Sequence, residues 1–378
     1  MREGGLIFYQ KKLTPELKSL KKALKKKPQT YNPLDFTYTE KKIISHIEKE
    51  TEKNNLNNIT RTNAYLQFFH EYPEIEWTFL AHMVSRNAGW NMTDLKGSFL
   101  SRLLSLEQQR YFFSFLERSN WLIFQDAYPQ LLLYKECKKR EENYFHLLSH
   151  FGVSYFMDVL WNDYLQNKSN PIITVALIIN EQNYIENRVV HHPEYYATLM
   201  ESIEFKLQEL LELNQILFPY YLKDEINVTG LPVHHFASLE ERILLGKQLY
   251  YLLFDPQYFG KILDFATNQP HTGSRKDFNP QLFNHIIEES AYERFQARLE
   301  NCQLIAGSKK IYSPRLKDAW QNVQQKPAEK GDWYKDWKVI NYLKPVVPKD
   351  TTVDIYNEYC EGLKKLELAV LAKNAFNK

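Results

Sequence analysis

Apolar residues recur at three- and four-residue intervals along most of the chain, which is the spacing that predicts amphipathic α-helices. Helical patterns with short connections cover the ranges 14–26, 39–54, 60–71, 74–89, 111–116, 131–137, 145–150, 154–166, 172–190, 196–217, 243–254, 281–290, 314–325 and 352–375. No stretch alternates convincingly with period two, no heptad persists, and no repeat of fixed period is found. The sequence therefore predicts an all-α fold, an irregular multi-helix globular array with short connections.

Local signals refine three of these helices. Ser105 and Gln108 have the spacing of a capping box at a helix start. Pro129 is suited to the first turn of the helix that follows it. The range 172–190 is apolar on all sides in its first half, which predicts a buried core helix.

Charge divides the chain unevenly. Residues 1–27 hold eight Lys and one Arg against two Glu, a local net charge of +7, which leaves −5 for the rest of a chain with net charge +2. We predict a basic N-terminal arm and linker over 1–35, a main all-α body over 36–325, and a C-terminal extension with a terminal helix over 326–378. The arm is either a solvated tail or a contact for nucleic acid or an anionic membrane surface.

Composition indicates a soluble globular protein, with 44% hydrophobic and 25% charged residues. Cys137, Cys302 and Cys360 are far apart in sequence, and without a Cys-x-x-Cys pair they suggest reduced thiols. Residues 6–9 are too short an apolar run for a signal peptide, and no run approaches the ~20 residues of a membrane span. These features predict a cytoplasmic location.

Residues 82–98 form the densest run of chemically capable side chains. Steps of three and four residues place His82, Ser85 and Arg86 on one side of the predicted helix. Gly89 is suited to the left-handed residue that ends a helix. The pattern therefore predicts a helix that stops at Gly89 and a second helix soon after.

The polar residues after that stop suggest a binding site. Asn91 and Asp94 can cap the start of the next helix, whose free N–H groups attract anions. Arg86 and Lys96 would add positive charge, and His82 would add a base. This interpretation predicts a site for an anionic or acyl group.

Two alternatives remain open for the same stretch. In a purely structural interpretation, Arg86 pairs with Asp94 and locks a corner between two helices. Ser85 beside His82 also suggests a hydrolase, but no strained Gly-x-Ser-x-Gly turn surrounds this serine.

Glu142, His146 and His150 are spaced four residues apart, so a single helix would align them on one face. One carboxylate and two imidazoles in that arrangement can bind a divalent transition metal. The same spacing is also that of ordinary helix-stabilising pairs.

Two further segments are candidates. In the polar stretch 180–188, Glu181 and Arg188 share a face that continues from the buried helix, and a charge entering the core needs a partner. The alternative is that this helix simply emerges into solvent. The loop 271–277, which contains Arg275, could hold a phosphate group through backbone N–H groups or be a surface turn.

The chain resembles an uncharacterised bacterial family, the YppC-like proteins, which is defined as a domain of unknown function. The residues that carry the resemblance lie at 82–97, 176–186, 238–242, 271–275 and 313–320, and the resemblance spans roughly 36–325. It implies a soluble protein of spore-forming Gram-positive bacteria. It implies no activity, cofactor or catalytic residue.

We therefore expect a cytoplasmic binding or interaction protein with a polar pocket around residues 82–97. The residues expected in that pocket are His82, Arg86, Asn91, Asp94, Glu181, Arg188 and Arg275. The alternatives are a metal-assisted hydrolase that uses Glu142, His146 and His150, and nucleic-acid binding through the basic arm. No cofactor is expected for the first function, a divalent metal is expected for the second, and whether the protein is an enzyme stays open.

Overall fold

A computed structural model describes residues 12–26, 35–193, 195, 215–223, 225–233, 236–288, 295–346 and 355–376. The α-helices are α1 Pro15–Leu24, α2 Tyr38–Asn54, α3 Asn58–Glu71, α4 Trp77–Asp94, α5 Leu100–Leu103, α6 Leu106–Arg140, α7 Tyr155–Asn167, α8 Asn170–Ile185, α9 Leu239–Leu253, α10 Phe259–Asn268, α11 Leu316–Ala319 and α12 Ile355–Phe376. The strands are β1 Gln215–Leu222, β2 Glu225–Pro232, β3 Phe283–Asn284, β4 Leu299–Glu300, β5 Gln303–Leu304 and β6 Ile311–Tyr312. The fold is thus mostly helical, and the prediction of an all-α protein holds only approximately.

The core is built around α6 and α8. Helix α6 has 35 residues and packs against α2, α3, α4 and α8. The capping box of Ser105 and Gln108 at its start is confirmed, with both reciprocal hydrogen bonds present. Pro129 lies inside α6 and not at a helix start, because buried apolar residues on both sides keep the helix continuous. Helix α8 is buried from Ile173 to Asn180, as the sequence predicted.

A β-hairpin, β1 and β2, was not predicted from the sequence. The strands pair antiparallel from Gln215 opposite Pro232 to Leu222 opposite Glu225. In β1 the neighbours Leu217 and Phe218 are both fully buried, so apolar residues do not alternate along the strand. Residues 215–217 of the predicted helix 196–217 belong to strand β1, so the helix prediction was wrong for them. Residues 196–214 lie outside the described part of the chain.

The basic helix α1 is packed on the body. Its Leu17, Leu20 and Leu24 are buried, and Lys21 and Lys25 lie over the ring of Trp337. The apolar face of α1 therefore packs against the rest of the protein. The proposed contact of this arm with nucleic acid or a membrane surface stays a prediction.

The C-terminal helix α12 contacts β2 and α5. A disulfide joins Cys302 to Cys360 in α12, whose Cα atoms are 5.3 Å apart. The expectation of three reduced thiols was wrong for this pair, because the two cysteines are 58 positions apart in the sequence and only the fold brings them together. Cys137 is free and buried.

Two helices predicted in the C-terminal half of the chain differ from the structure: the described part of 281–290 is not helical, and the helix in 314–325 is shorter than predicted. In 281–290 the described residues 281–288 contain the two-residue strand β3 and no helix, and residues 289–290 lie outside the described part of the chain. Only Leu316–Ala319 is helical within 314–325, because the chain becomes extended at Trp320. None of the helices that the structure describes has the length and apolar character required to cross a bilayer.

Candidate functional site

Helix α4 continues through Gly89 and ends at Asp94, so the predicted stop at Gly89 was wrong. A Cβ atom at Gly89 would lie 2.3 Å from Asn58 Oδ1 and 2.5 Å from His271 Nε2. Glycine is therefore needed because other chain segments approach the helix closely. Asn91 and Asp94 lie in the last turns of α4 and do not cap a following helix, since α5 begins only at Leu100.

The segment 271–277 packs directly against α4, as a convergent site requires. Arg275 binds the Asp94 carboxylate with two nitrogens, at 2.8 Å from Nε and 2.7 Å from Nη2. The same guanidinium donates to Asn91 Oδ1 at 3.2 Å, and Thr93 Oγ1 donates to the Gly273 carbonyl at 2.6 Å. We call the Asp94 and Arg275 pair the clasp.

Every nitrogen of the Arg275 guanidinium has a hydrogen-bond partner. Burial opposes the charge of Arg275, but the Asp94 carboxylate and the Tyr359 hydroxyl outweigh it and raise the pKa of the guanidinium. Arg275 also lies over the Tyr359 ring at 5.4 Å. The predicted pairing of Arg86 with Asp94 was wrong, because Arg275 occupies that carboxylate.

Arg86 has a different environment. Its side chain is fully buried, and Nη2 donates to the Gln269 carbonyl at 2.8 Å. Its guanidinium lies over the Phe265 ring at 4.9 Å, while Nε and Nη1 have no hydrogen-bond partner among the described residues. Burial lowers the pKa of Arg86 to about 10, with the charge of Asp277 acting in the opposite direction. Arg86 therefore stays charged at neutral pH, and the N–H groups of its buried Nε and Nη1 have no acceptor among the described residues.

His82 lies one helical turn before Arg86. Its Nδ1 is 2.8 Å from the Thr62 carbonyl, so this nitrogen carries the proton and donates it. Its Nε2 is buried and has no partner among the described residues. Burial, and after it the charge of Arg86, lower the pKa of His82 well below its usual range.

His271 completes the group. Its Nε2 is 2.9 Å from Asn58 Oδ1, and the Asn58 amide donates to the Ser85 carbonyl at 2.8 Å. Because that amide nitrogen is donating, Oδ1 must accept, and His271 Nε2 carries the proton. His271 Nδ1 is 3.5 Å from Asp277 Oδ2, and burial lowers the pKa of this imidazole. We call Arg86, His82, His271 and Asn58 the Arg86 cluster.

Ser85 is tied into this network as a structural hydroxyl. It lies 2.6 Å from Thr62 Oγ1 and accepts from the Asn58 amide at 3.1 Å. The protonated nitrogen of His82 binds a main-chain carbonyl, so this nitrogen is not a base for Ser85. The geometry favours no serine nucleophile at this position.

Glu181 and Arg188 belong to another part of the interior. Glu181 interacts electrostatically with Asp126, and Arg188 donates to the main-chain carbonyls of Glu329 and Gly331. The predicted pocket is therefore divided: residues of 82–94 and 271–277 come together, and residues of 180–188 lie around Asp126. Asp126 was missed, although an acidic residue inside the apolar run 122–133 was a usable signal.

The predicted metal triad does not assemble. Glu142 follows the end of α6 and accepts from the Tyr144 hydroxyl, whereas His146 and His150 lie on a 3₁₀ turn at Phe145–Phe151. His146 pairs with Glu40 at 2.5 Å, and His150 is 3.2 Å from Glu48. The positive φ of 55° at Glu141 breaks the helix that would have aligned the three. Across the described ranges, no group of three His, Cys, Asp or Glu side chains is arranged to hold a metal ion.

Comparisons with known proteins show which family this chain resembles. Residues 53–354 match a family described as "Protein of unknown function (DUF2515)". The chain is 45% identical over 242 residues to "Uncharacterized protein YppC" from Bacillus subtilis (strain 168), which covers 64% of this chain and 75% of that protein. No solved structure matches the chain. The Arg86 cluster and the clasp both lie within the matched region.

Proposed function

We propose that this chain, which belongs to the DUF2515 family of proteins of unknown function, binds a small oxyanion at Arg86. The ligand would be a phosphate or carboxylate group, either free or as part of a small molecule. The observation that supports this function most directly is the buried Arg86 guanidinium, whose Nε and Nη1 have no partner among the described residues.

The energetics of buried donors favour binding of a hydrogen-bond acceptor at Arg86. An unpartnered buried N–H group costs about 1–3 kcal/mol, and more when it is charged. The planar guanidinium can donate two parallel hydrogen bonds to one carboxylate or phosphate. Nε and Nη1 donate from opposite edges of the guanidinium, so an oxyanion would accept from one of them together with the second N–H of Nη2, whose first N–H binds the Gln269 carbonyl.

The surrounding imidazoles predict how such a ligand would bind. Both His82 and His271 interact electrostatically with Arg86, and burial lowers the pKa of each. An anion close to Arg86 would offset that charge and raise the pKa of both imidazoles. We therefore expect proton uptake on binding, and tighter binding at pH 6 than at pH 8.

The clasp has a supporting role in this proposal. It holds the 271–277 segment against α4, and with it the His271 side chain. Asn91, Asp94 and Arg275 would thus shape the wall of the pocket without contacting the ligand. Glu181 and Arg188 would have no part in it.

A thermal unfolding experiment on the full chain tests the proposal. The midpoint would be measured in sodium phosphate, sodium acetate and sodium chloride at equal ionic strength, at pH 6 and pH 8. A ligand at 100 times its Kd adds about 2.7 kcal/mol to the stability of the native state, which corresponds to a rise of several degrees. The phosphate and acetate arms distinguish the two classes of oxyanion.

Two variants make the result specific. Arg86→Met removes the guanidinium and keeps most of the side-chain length, and it should abolish the rise in midpoint. Arg315→Met is the matched control, because Arg315 is partly exposed and pairs with Asp318 at 2.7 Å. Equal rises in chloride and in the oxyanions, or a rise retained in Arg86→Met, would contradict the proposal.

A further inference from the structure

A second group of buried polar residues lies between α3, α6 and α8. Asp126 Oδ2 accepts hydrogen bonds from the amides of Asn180 and Gln130, the latter at 2.8 Å. The Gln130 Oε1 accepts from Trp161 Nε1, and the Asn180 Oδ1 accepts from Trp333 Nε1, both at 2.9 Å. Each amide is thereby fixed with its nitrogen toward Asp126. The other oxygen of this carboxyl group, Oδ1, has no partner among the described residues.

Two more side chains interact electrostatically with Asp126. The Tyr65 hydroxyl is buried, has no hydrogen-bond partner among the described residues, and interacts electrostatically with both Glu181 and Asp126. Glu181 Oε1 accepts a hydrogen bond from Gln182 Nε2 at 3.1 Å, and Glu181 interacts electrostatically with Asp126. Tyr65 and Asp126 are only 3% and 2% exposed, so water from bulk solvent does not satisfy these oxygens. We call Asp126, Glu181, Tyr65, Asn180 and Gln130 the Asp126 cluster.

The nearby arginines are hydrogen-bonded to other groups. Arg61 Nη2 pairs with Glu117 at 2.5 Å and Nη1 donates to Asn55 Oδ1 at 3.1 Å, while Arg61 Nε has no partner among the described residues. Arg188 uses its Nη2 on the carbonyls of Glu329 and Gly331, at 3.1 and 2.7 Å. The two carboxyl groups of the Asp126 cluster therefore have no cation hydrogen-bonded to them among the described residues, so each is neutralised either by protonation or by a bound cation.

We propose that Asp126, Glu181 and Tyr65 form a binding site for a small organic ammonium group, the protonated form of a primary amine. Such a group has three N–H donors and one positive charge. The donors match Asp126 Oδ1 and the Tyr65 hydroxyl, which have no hydrogen-bond partner among the described residues, and the charge matches the ionised forms of Asp126 and Glu181. Glu181 and its neighbour Gln182 keep part of their surface accessible, which indicates the side from which a ligand enters. The turn that follows, Glu186–Val190, is π-helical, a feature frequent at functional sites.

The protonation of the cluster predicts how the site responds to pH. Burial raises the pKa of Asp126 to about 7 and that of Glu181 to about 8. The charged or titratable groups outside the cluster that interact electrostatically with Asp126 or Tyr65 are Arg61 from α3, Tyr128 from α6, Tyr184 from α8, Arg188 from the π-helical turn and Asp332. A bound ammonium favours the ionised carboxylates and so displaces protons. Affinity should therefore increase as pH rises, up to tenfold per pH unit for each proton released.

Calorimetric titration of the full chain with methylammonium chloride tests this site. Titrations at pH 6.5 and pH 8.5, with sodium chloride as the reference titrant, separate an ammonium site from general ionic effects. We expect saturable binding that is at least tenfold tighter at pH 8.5. The absence of saturable binding at both pH values, or an identical response to sodium, would overturn the proposal and leave ordered water as the occupant of the cluster.

Substitutions locate the binding. Asp126→Asn should weaken binding at least tenfold and reduce its dependence on pH, and Tyr65→Phe, which removes only the hydroxyl, should weaken it about three- to tenfold. Glu71→Gln is the control, because Glu71 lies on α3 but is partly exposed and pairs with Lys135. If Asp126→Asn fails to fold, Tyr65→Phe decides by itself. Wild-type affinity in Tyr65→Phe, or in folded Asp126→Asn, would overturn the proposal.

Discussion

The Arg86 cluster and the Asp126 cluster are two buried polar regions of opposite character. The first has a guanidinium with unused N–H donors beside two imidazoles that burial keeps neutral. The second has carboxyl and hydroxyl oxygens without donors, and burial raises the pKa of its acids. The first cluster therefore lacks a negatively charged hydrogen-bond acceptor. The second lacks a positively charged hydrogen-bond donor.

The clasp shows what a saturated polar contact looks like in the same molecule. Arg275 lies close to the Arg86 cluster but has a bidentate carboxylate, an amide and an aromatic ring around it. Polar groups in protein interiors are normally satisfied in this way, so each unsatisfied group needs an explanation. The difference between Arg275 and Arg86 thus distinguishes a contact that stabilises the fold from one that is open to a ligand.

The largest difference in the free energy of unfolding should be between a substitution at Asp94 and a substitution at Arg86. Asp94→Ala leaves Arg275 charged and without its carboxylate, which should lower the free energy of unfolding by about 3 kcal/mol. Arg86→Met removes a charge that has no bonded anion, so it should be neutral or stabilising in the absence of ligand. Urea denaturation of both variants measures this contrast. Equal destabilisation by both substitutions would mean that Arg86 has a stabilising partner.

A methyl group at Gly89 should disturb the Arg86 cluster and leave the Asp126 cluster intact. Gly89→Ala places a Cβ 2.3 Å from Asn58 Oδ1 and 2.5 Å from His271 Nε2, so one of them must move, at a cost of about 1–3 kcal/mol. Gly260→Ala is the control: it lies in α10 with no atom within 4 Å of the added Cβ, and it should stabilise the helix by up to about 1 kcal/mol. Oxyanion binding should weaken in Gly89→Ala, while methylammonium binding should not change.

The clusters should also respond to pH with opposite signs. The folded pKa of His82 and His271 is below the unfolded value of 6.5, so the unfolded chain takes up protons first and stability falls as pH drops below 6.5. The pKa of Asp126 is about 7 in the folded chain and 3.8 in the unfolded chain. Its contribution to the free energy of unfolding is therefore fully present below pH 3.8 and is lost as the pH rises to 7. Each group changes stability by at most about 1.4 kcal/mol per pH unit.

Variants separate these opposing slopes. In Asp126→Asn the loss of stability between pH 4 and pH 7 should diminish, and in His82→Phe the loss below pH 6.5 should diminish. Denaturation curves at half-unit pH intervals would show both changes. Unaltered slopes in either variant would show that its cluster does not titrate as described.

The smallest expected effect concerns Ser85. Ser85→Ala removes one hydroxyl from the network of Thr62 and Asn58, which should cost about 1 kcal/mol. Oxyanion binding measured by the unfolding midpoint should persist, because this hydroxyl does not contact Arg86. Complete loss of binding would instead give Ser85 a direct role.

The sequence predicted those features that depend on neighbouring residues. The capping box at Ser105 and the buried helix α8 were confirmed because caps and amphipathic periods are local. Gly89 was misinterpreted because its role depends on Asn58 and His271, which approach it from distant segments. The hairpin was missed because Leu217 and Phe218 are both buried, and no period of two is visible.

The candidate site was predicted in part for the same reason. The sequence identified 82–94 and 271–277 as chemically capable, and the fold brings them together through the clasp. It could not show that Arg275, and not Arg86, takes Asp94, nor that Glu181 faces Asp126. Contacts between residues distant in sequence determine which polar side chains keep unused hydrogen-bonding groups.

Nuclear magnetic resonance of the arginine Nε–H groups tests the central claim most directly. With 15N-labelled arginine, the Arg86 signal is assigned by its absence in Arg86→Met, and it should be protected from exchange because the side chain is buried. Titration with phosphate or acetate should shift this signal saturably and leave the Arg275 signal in place. An Arg86 signal that stays unmoved at saturating concentrations of both oxyanions would contradict the account.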